Sequence, residues 1–224
     1  MSLVEHREGI EAGRLDMFVD GAFAFTLTLL AIGGDTIPNS ADKLLHILAG
    51  VPAAAMCFAE IAWMWHGHVH WRHLCTRGTR TGLLLSLALV FFALIFVYPL
   101  HMVYGSLCSG LSDGVLSGDA AISAATDSRF MFVCYGLAFA CMAGTLALLY
   151  LHAARLSPHG AAENSQAQIQ AVVWSVPALI GLLSALTAAL LPEAVASSPL
   201  PGFEYCLMVL IWPAVRFYKR RRLQ

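Results

Sequence analysis

A chain of 224 residues that is 58% hydrophobic and 12% charged, with a formal net charge of −1 and a mean hydropathy of +0.70, is not an ordinary soluble domain. Soluble domains carry about 25% charged residues, so the composition places this chain in a lipid bilayer as an all-α protein. An apolar run needs about 20 residues to cross a ~30 Å hydrocarbon core.

In chain order the candidate spans are 17–34, 44–66, 82–104, 130–151, 172–191 and 203–217, a single six-helix transmembrane unit over residues 1–224. Turn residues separate them: Gly33, Gly34, Asp35 and Pro38 after the first, the Gly-, Ser- and Asp-rich stretch from Gly105 to Asp127 after the third, and Pro192 to Gly202 after the fifth. Lys and Arg collect in cytoplasmic loops. Arg7, Arg14, Arg72, Arg77, Arg80, Arg155, Arg216, Lys219, Arg220, Arg221 and Arg222 fall on one side of a six-span layout, and only Lys43 and Arg129 on the other. Both termini are therefore expected in the cytoplasm, as an even number of spans requires. Asp35, Asp42, Asp113, Asp119, Asp127 and Glu193 populate the opposite side, so a near-zero net charge conceals an asymmetry that attracts cations to the outer surface. The C-terminal RFYKRRRLQ reads as a topology anchor at anionic lipid, with no nucleic-acid role.

The six cysteines describe no disulfide framework, because Cys57, Cys134, Cys141 and Cys206 lie within spans and Cys75 lies in a predicted loop. Pro99, Pro177 and Pro213 are expected to kink their helices, which membrane spans tolerate.

The first span carries most of the information. A charge at the centre of a membrane helix costs ~2.5–3.5 kcal/mol, so an intramembrane carboxylate is by default a functional or pairing site. At 100° per residue Phe18, Gly21, Ala22, Phe25, Thr28, Leu29 and Ile32 share one face, and Asp16 and Asp20 lie opposite. Asp20 sits near the cytoplasmic end of the first span, level with the end of the second, where Trp65, His66, His68 and His70 cluster. A histidine from that cluster is the expected partner of Asp20. Arg14 is six residues from Asp20, too far around a helix for an intrahelical pair.

The segment RLDMFVDGAFAFTLTLLAI, Arg14 to Ile32, resembles the Arg-x-x-x-Phe-Ser-Asp signature of the transmembrane protein 175 family, the lysosomal-type potassium channels and their bacterial relatives. Trp65 and His68 resemble that family's Trp-x-x-His near the end of the second span, and Pro99 its proline ending the third. The match covers the first hundred residues. The resemblance implies a homotetramer in a bacterial inner membrane, permeable to potassium ions and needing no cofactor. It also implies a cation pathway lined by the four first helices, with a hydrophobic constriction at Phe25, Leu29 and Ile32 in place of a carbonyl filter. Thr28 would offer hydroxyl oxygen beside that neck, and Arg14, Asp20, Trp65 and His68 would form the network that holds the first helix. Two positions depart from the pattern: the signature serine is Val19, which removes a hydroxyl, and the first constriction is the bulky Phe25.

Two other readings draw on different residues. His66, His70 and His73 stand at i, i+4 and i+7, a metal-ligand spacing that would suit a membrane metalloenzyme or haem protein. More ligands should then lie at the same depth, yet His101 falls near the other surface; His152 and His159 fall on the correct side, and only His152 adjoins a span. Glu60, about two turns inside the second span, would suit a proton-coupled carrier or, alternatively, a carboxyl hydrogen-bonded to a neighbouring helix. A carrier would carry paired broken helices in two related halves, and none is visible.

Overall fold

The computed structural model describes residues 3–31, 39–75, 78–116, 125–157, 162–192 and 200–222. Among them all regular structure is helical: α1 (Leu3–Ala31), α2 (Ala41–Ala49), α3 (Val51–Leu74), α4 (Arg80–Leu111), α5 (Ala125–Leu156), α6 (Ala162–Leu190), α7 (Leu200–Phe203), a 3-10 segment (Glu204–Leu210) and α8 (Ile211–Arg222). Ile32 and the loop residues Asp35, Arg77, Asp119, His159 and Glu193 lie outside the described residues.

Four described helical segments are long and apolar enough to cross a membrane: Arg80–Leu111, Ser128–Leu156, Ala162–Leu190 and Leu200–Lys219. The pair α2 and α3, bent by 41° between them, makes a fifth. The segment Arg14 to Ala31 of α1 is apolar after its first turns but holds three charged residues, Arg14, Asp16 and Asp20, which sets it apart from the others.

Three expectations change. The second span is not one straight helix over 44–66. Gly50 closes α2 with its N–H on the Ile47 carbonyl, and Pro52 sits in the first turn of α3, where its missing N–H is harmless. Beyond the break α3 runs to Leu74, so the histidine cluster is helical and not at a helix end. Pro99 does not end the third span: α4 continues to Leu111, because a proline removes one backbone bond and kinks a helix without terminating it in a well-packed membrane bundle. Residues 105–111, expected in a loop, therefore form the last two turns of α4. At 32 residues each, α4 and α5 are ~48 Å long and project past the hydrocarbon.

Consecutive long helices pack antiparallel. Asp16 of α1 meets Arg72 of α3, His68 of α3 meets Ser86 of α4, Thr79 just before α4 meets His152 of α5, Asn164 of α6 meets Ala154 of α5, and Tyr218 of α8 meets Gln168 of α6. In lipid the chain gains little from burying apolar surface, and packing and hydrogen bonds hold helices together. The closest crossing is that of α5 on α6. A Cβ on Gly136 would stand 2.7 Å from the Gly181 carbonyl oxygen, and one on Gly181 would stand 2.8 Å from that of Gly136, so only glycines allow the two backbones to touch. At the far end of this hairpin Arg129 donates to the Ala188 carbonyl (2.9 Å) and also to those of Ala189 and Leu191, capping the last turn of α6.

The core lies among α3, α4 and α5, with Ile61, Met64, Leu89, Phe96, Leu100, Phe139 and Leu146 fully buried. In the 3-10 segment, side chains three apart eclipse. That spacing brings both Tyr205 and Met208 against this core. No disulfide forms; Cys57, Cys75 and Cys108 are buried, whereas Cys141 and Cys206 are exposed.

Candidate functional site: the first helix and its anchors

The two sides of α1 differ in their surroundings. Val19, Phe23, Thr26 and Leu30, at 0%, 2%, 0% and 8% exposure, form the face that packs into the bundle. α1 makes its contacts with α3 and α4. Of the stripe at 18, 21, 22, 25, 28, 29 and 32, Phe18 and Phe25 are 55% and 56% exposed, Gly21 and Thr28 are exposed, and Ala22 and Leu29 are half-buried. The stripe is thus the side of α1 that a single chain leaves uncovered. Thr28 donates its hydroxyl to the Phe25 carbonyl (2.7 Å), which leaves the hydroxyl oxygen as an acceptor on that surface.

Val19 occupies a core position facing away from the stripe, so the hydroxyl absent there is replaced by packing.

Two carboxylates tie α1 to α3. Asp20 accepts from the Trp65 indole N–H at 2.8 Å, and Asp16 accepts from Arg72 Nε at 2.7 Å. A second guanidinium nitrogen of Arg72 reaches the Cys75 carbonyl at 2.6 Å, closing the end of α3. His68 is not the partner of Asp20. It is buried, and its Nε2 lies 3.0 Å from the Ser86 hydroxyl of α4. The reason is rotational: Trp65 and His68 are neighbours on one helix, and the side nearer α4 carries the histidine. Arg14, exposed in the first half of α1, takes no part in these bonds.

Helix α3 is fixed in turn to the rest of the bundle. Glu60 Oε2 accepts from Tyr104 of α4 at 2.7 Å, and Glu60 Oε1 from Tyr135 of α5 at 3.2 Å. Tyr150 donates to the Gly67 carbonyl at 2.8 Å, and a side chain on Gly67 would collide with the ring of Trp174, which also stacks on Trp63 with centroids 4.5 Å apart. The glycine inside the Trp-His-Gly-His run is explained by this close approach. Glu60 is thus the carboxyl hydrogen-bonded to neighbouring helices.

The metal-spacing histidines follow a different course. His66 and His70 stack with parallel rings 6.5 Å apart, and His70 also faces Tyr150 at 6.2 Å. Among the described residues no three His, Cys, Asp or Glu side chains are grouped to hold a metal ion.

Sequence reasoning found the carboxylates and Trp65 but missed four connections. The Arg72–Asp16 pair was accessible from depth alone, since both residues sit at the same end of antiparallel spans. The Tyr104 and Tyr135 donors and the Tyr150–Gly67 bond depend on helix rotation, which composition does not encode.

Comparisons with known proteins follow the same division of the chain. Residues 14–99 match the family model described as "Endosomal/lysosomal potassium channel TMEM175". A "Potassium channel" of Marivirga tractuosa is 30% identical over 95 residues, 42% of this chain, and the match spans 38% of that relative's length. A crystal structure of a variant of the potassium channel MtTMEM175, in complex with a Nanobody-MBP fusion protein, superposes with a TM-score of 0.76 at 23% identity, covering 94% of each chain. Residues 14–99, which hold α1 and its anchors on α3, therefore carry the TMEM175 sequence pattern, and the chain as a whole shares the fold of a solved channel of that name.

Proposed function

We propose that this protein is a potassium-permeable cation channel: a homotetramer of six-span subunits with both termini in the cytoplasm of a bacterial cell, its pore lined by four copies of α1. The observation that carries this reading is the uncovered side of α1, which presents Phe18, Gly21, Phe25 and Thr28 and, at its edge, Asp20. Hydrocarbon disfavours a carboxylate, whereas a water-filled pathway lined by neighbouring copies accommodates it. The antiparallel succession of helices supports the even number of crossings, with the start of α1 and the end of α8 on one side.

In the tetramer Phe25, Leu29 and Ile32 form successive apolar rings. A narrow apolar neck holds water poorly, so a small change in radius decides whether a hydrated ion passes. Thr28 supplies oxygen next to the neck, a ligand type that suits K⁺. No cofactor enters this mechanism. The carboxylate anchors at Asp16 and Asp20 set the rotation of α1 and therefore which side chains meet at the axis. The named relatives are potassium channels, which favours transport over the histidine-based enzyme.

The test is ion flux into liposomes containing the purified protein, with K⁺, Na⁺ and a large organic cation compared on one sample. Phe25→Ala and Leu29→Ala are expected to raise K⁺ flux, while Leu179→Ala, at an exposed site on α6, leaves it unchanged. Equal flux in all three variants and the parent overturns the pore assignment.

A further inference from the structure

At the end of the bundle where α5 stops and α6 begins, a cavity of about 370 Å³ opens between these helices and α8. One wall is polar and closed on itself. Tyr218 donates to Gln168 Oε1 at 2.8 Å, Gln168 Nε2 donates to Asn164 Oδ1 at 3.0 Å, and Asn164 donates to the Ala154 carbonyl. The Ser175 hydroxyl is likewise committed to the Ala171 carbonyl at 2.7 Å. Leu151, one turn before Arg155 on α5, and Val172, one turn after Gln168 on α6, add an apolar part to the lining.

Arg155 lines the same cavity and is exposed. Among the described residues no carboxylate lines the cavity; Glu163, which precedes Asn164, is exposed. Arg216 and Lys219, both exposed, are close to Tyr218 in the sequence of α8, with the Arg216 guanidinium over the Trp212 ring, so this end of α8 is positively charged.

We propose that this cavity seats the phosphate headgroup of an anionic phospholipid, with Arg155 pairing the phosphate and an acyl chain lying against Leu151 and Val172. A neutral polyol needs several spare hydrogen-bond donors, and the side-chain amides here already bond one another. An exposed guanidinium suits a phosphate, which it grips with two parallel N–H groups. Depth points to lipid as the source of that phosphate. The cavity lies at the ends of the two candidate spans Ser128–Leu156 and Ala162–Leu190, the level at which headgroups sit, and basic pockets between membrane helices recognise such headgroups. The inference does not depend on ion conduction.

The experiment is native mass spectrometry of the full chain after extraction from bilayers of phosphatidylcholine with phosphatidylglycerol. The parent is expected to retain phosphatidylglycerol in preference to phosphatidylcholine. Arg155→Gln should lower that retention about fivefold, the equivalent of ~1 kcal/mol for one basic residue at a membrane surface. Val172→Phe should lower it too, by filling the apolar side with every charge kept. Arg80→Gln, on an exposed cation of α4 that does not line the cavity, should retain lipid as the parent does. Matching elution of each variant in size-exclusion chromatography controls for folding, and Arg155→Lys should recover part of the binding. Equal retention of the two lipids overturns the proposal, as does a loss in Arg80→Gln as large as that in Arg155→Gln. Displacement of phosphatidylglycerol by millimolar inorganic phosphate would instead assign the cavity to a free anion.

Discussion

The α5–α6 hairpin and the first helix represent opposite ways of building with membrane helices. α5 and α6 meet backbone to backbone at Gly136 and Gly181, and Arg129 closes the end of α6, so their interface is complete within one chain. α1 packs through Val19, Phe23, Thr26 and Leu30 and is held by two hydrogen-bonded carboxylates, while its other side is left bare. One interface is finished within the chain and the other is left open. The anchors of α3, from Glu60 to Arg72, join Asp16 and Asp20 to the bundle beside the direct packing of α1 on α3 and α4.

Perturbing both regions in turn tests that contrast. The largest effect is expected from Gly136→Leu, which forces the α5 and α6 backbones apart; a loss of ~3 kcal/mol or more should appear as failure to recover monodisperse protein. Next comes Phe23→Ala on the packed face of α1, expected to cost ~3 kcal/mol in detergent unfolding, whereas Phe25→Ala two residues on should leave the unfolding midpoint almost unchanged and alter flux instead. Should the two phenylalanines behave alike, the division of α1 into two faces fails. Glu60→Ala strips the acceptor from Tyr104 and Tyr135 and should destabilise by ~1–2 kcal/mol, with Glu60→Gln recovering most of it because an amide oxygen still accepts. The smallest loss, ~1 kcal/mol or less, is expected for Trp65→Phe, which removes one N–H donor from Asp20 at an exposed site. Its signature is an altered basal K⁺ flux, since the rotation of α1 loosens before the bundle does.

The uncovered side of α1 was more legible in the sequence than the α5–α6 scaffold. Charges in a membrane span are costly enough to be conspicuous, so Asp16, Asp20 and Glu60 stood out, and a 100° period was sufficient to separate the stripe of Phe18, Phe25 and Thr28 from the carboxylates. Partner choice was harder. His68 was the chemically natural partner for Asp20, but a rotation of α3 by a fraction of a turn gave His68 to Ser86 and left Trp65 for the carboxylate. The span ends were misjudged for a related reason: hydropathy locates the hydrocarbon, whereas a helix continues for as long as its backbone bonds are satisfied, so Gly105 to Leu111 stay helical. The break at Gly50 had a local signature in the glycine and in Pro52, hidden by the unbroken apolar character around them.

The 3-10 segment Glu204–Leu210 bears on how the last span fits its membrane. An α-helix rises 1.5 Å per residue and a 3-10 helix about 2.0 Å, so these seven residues cover ~14 Å where α winding would cover ~10 Å. The 20 residues of Leu200–Lys219 accordingly extend ~33 Å instead of ~30 Å. The few ångströms gained come from tighter winding alone, with no residue added, a length difference of the size that separates thinner from thicker bilayers.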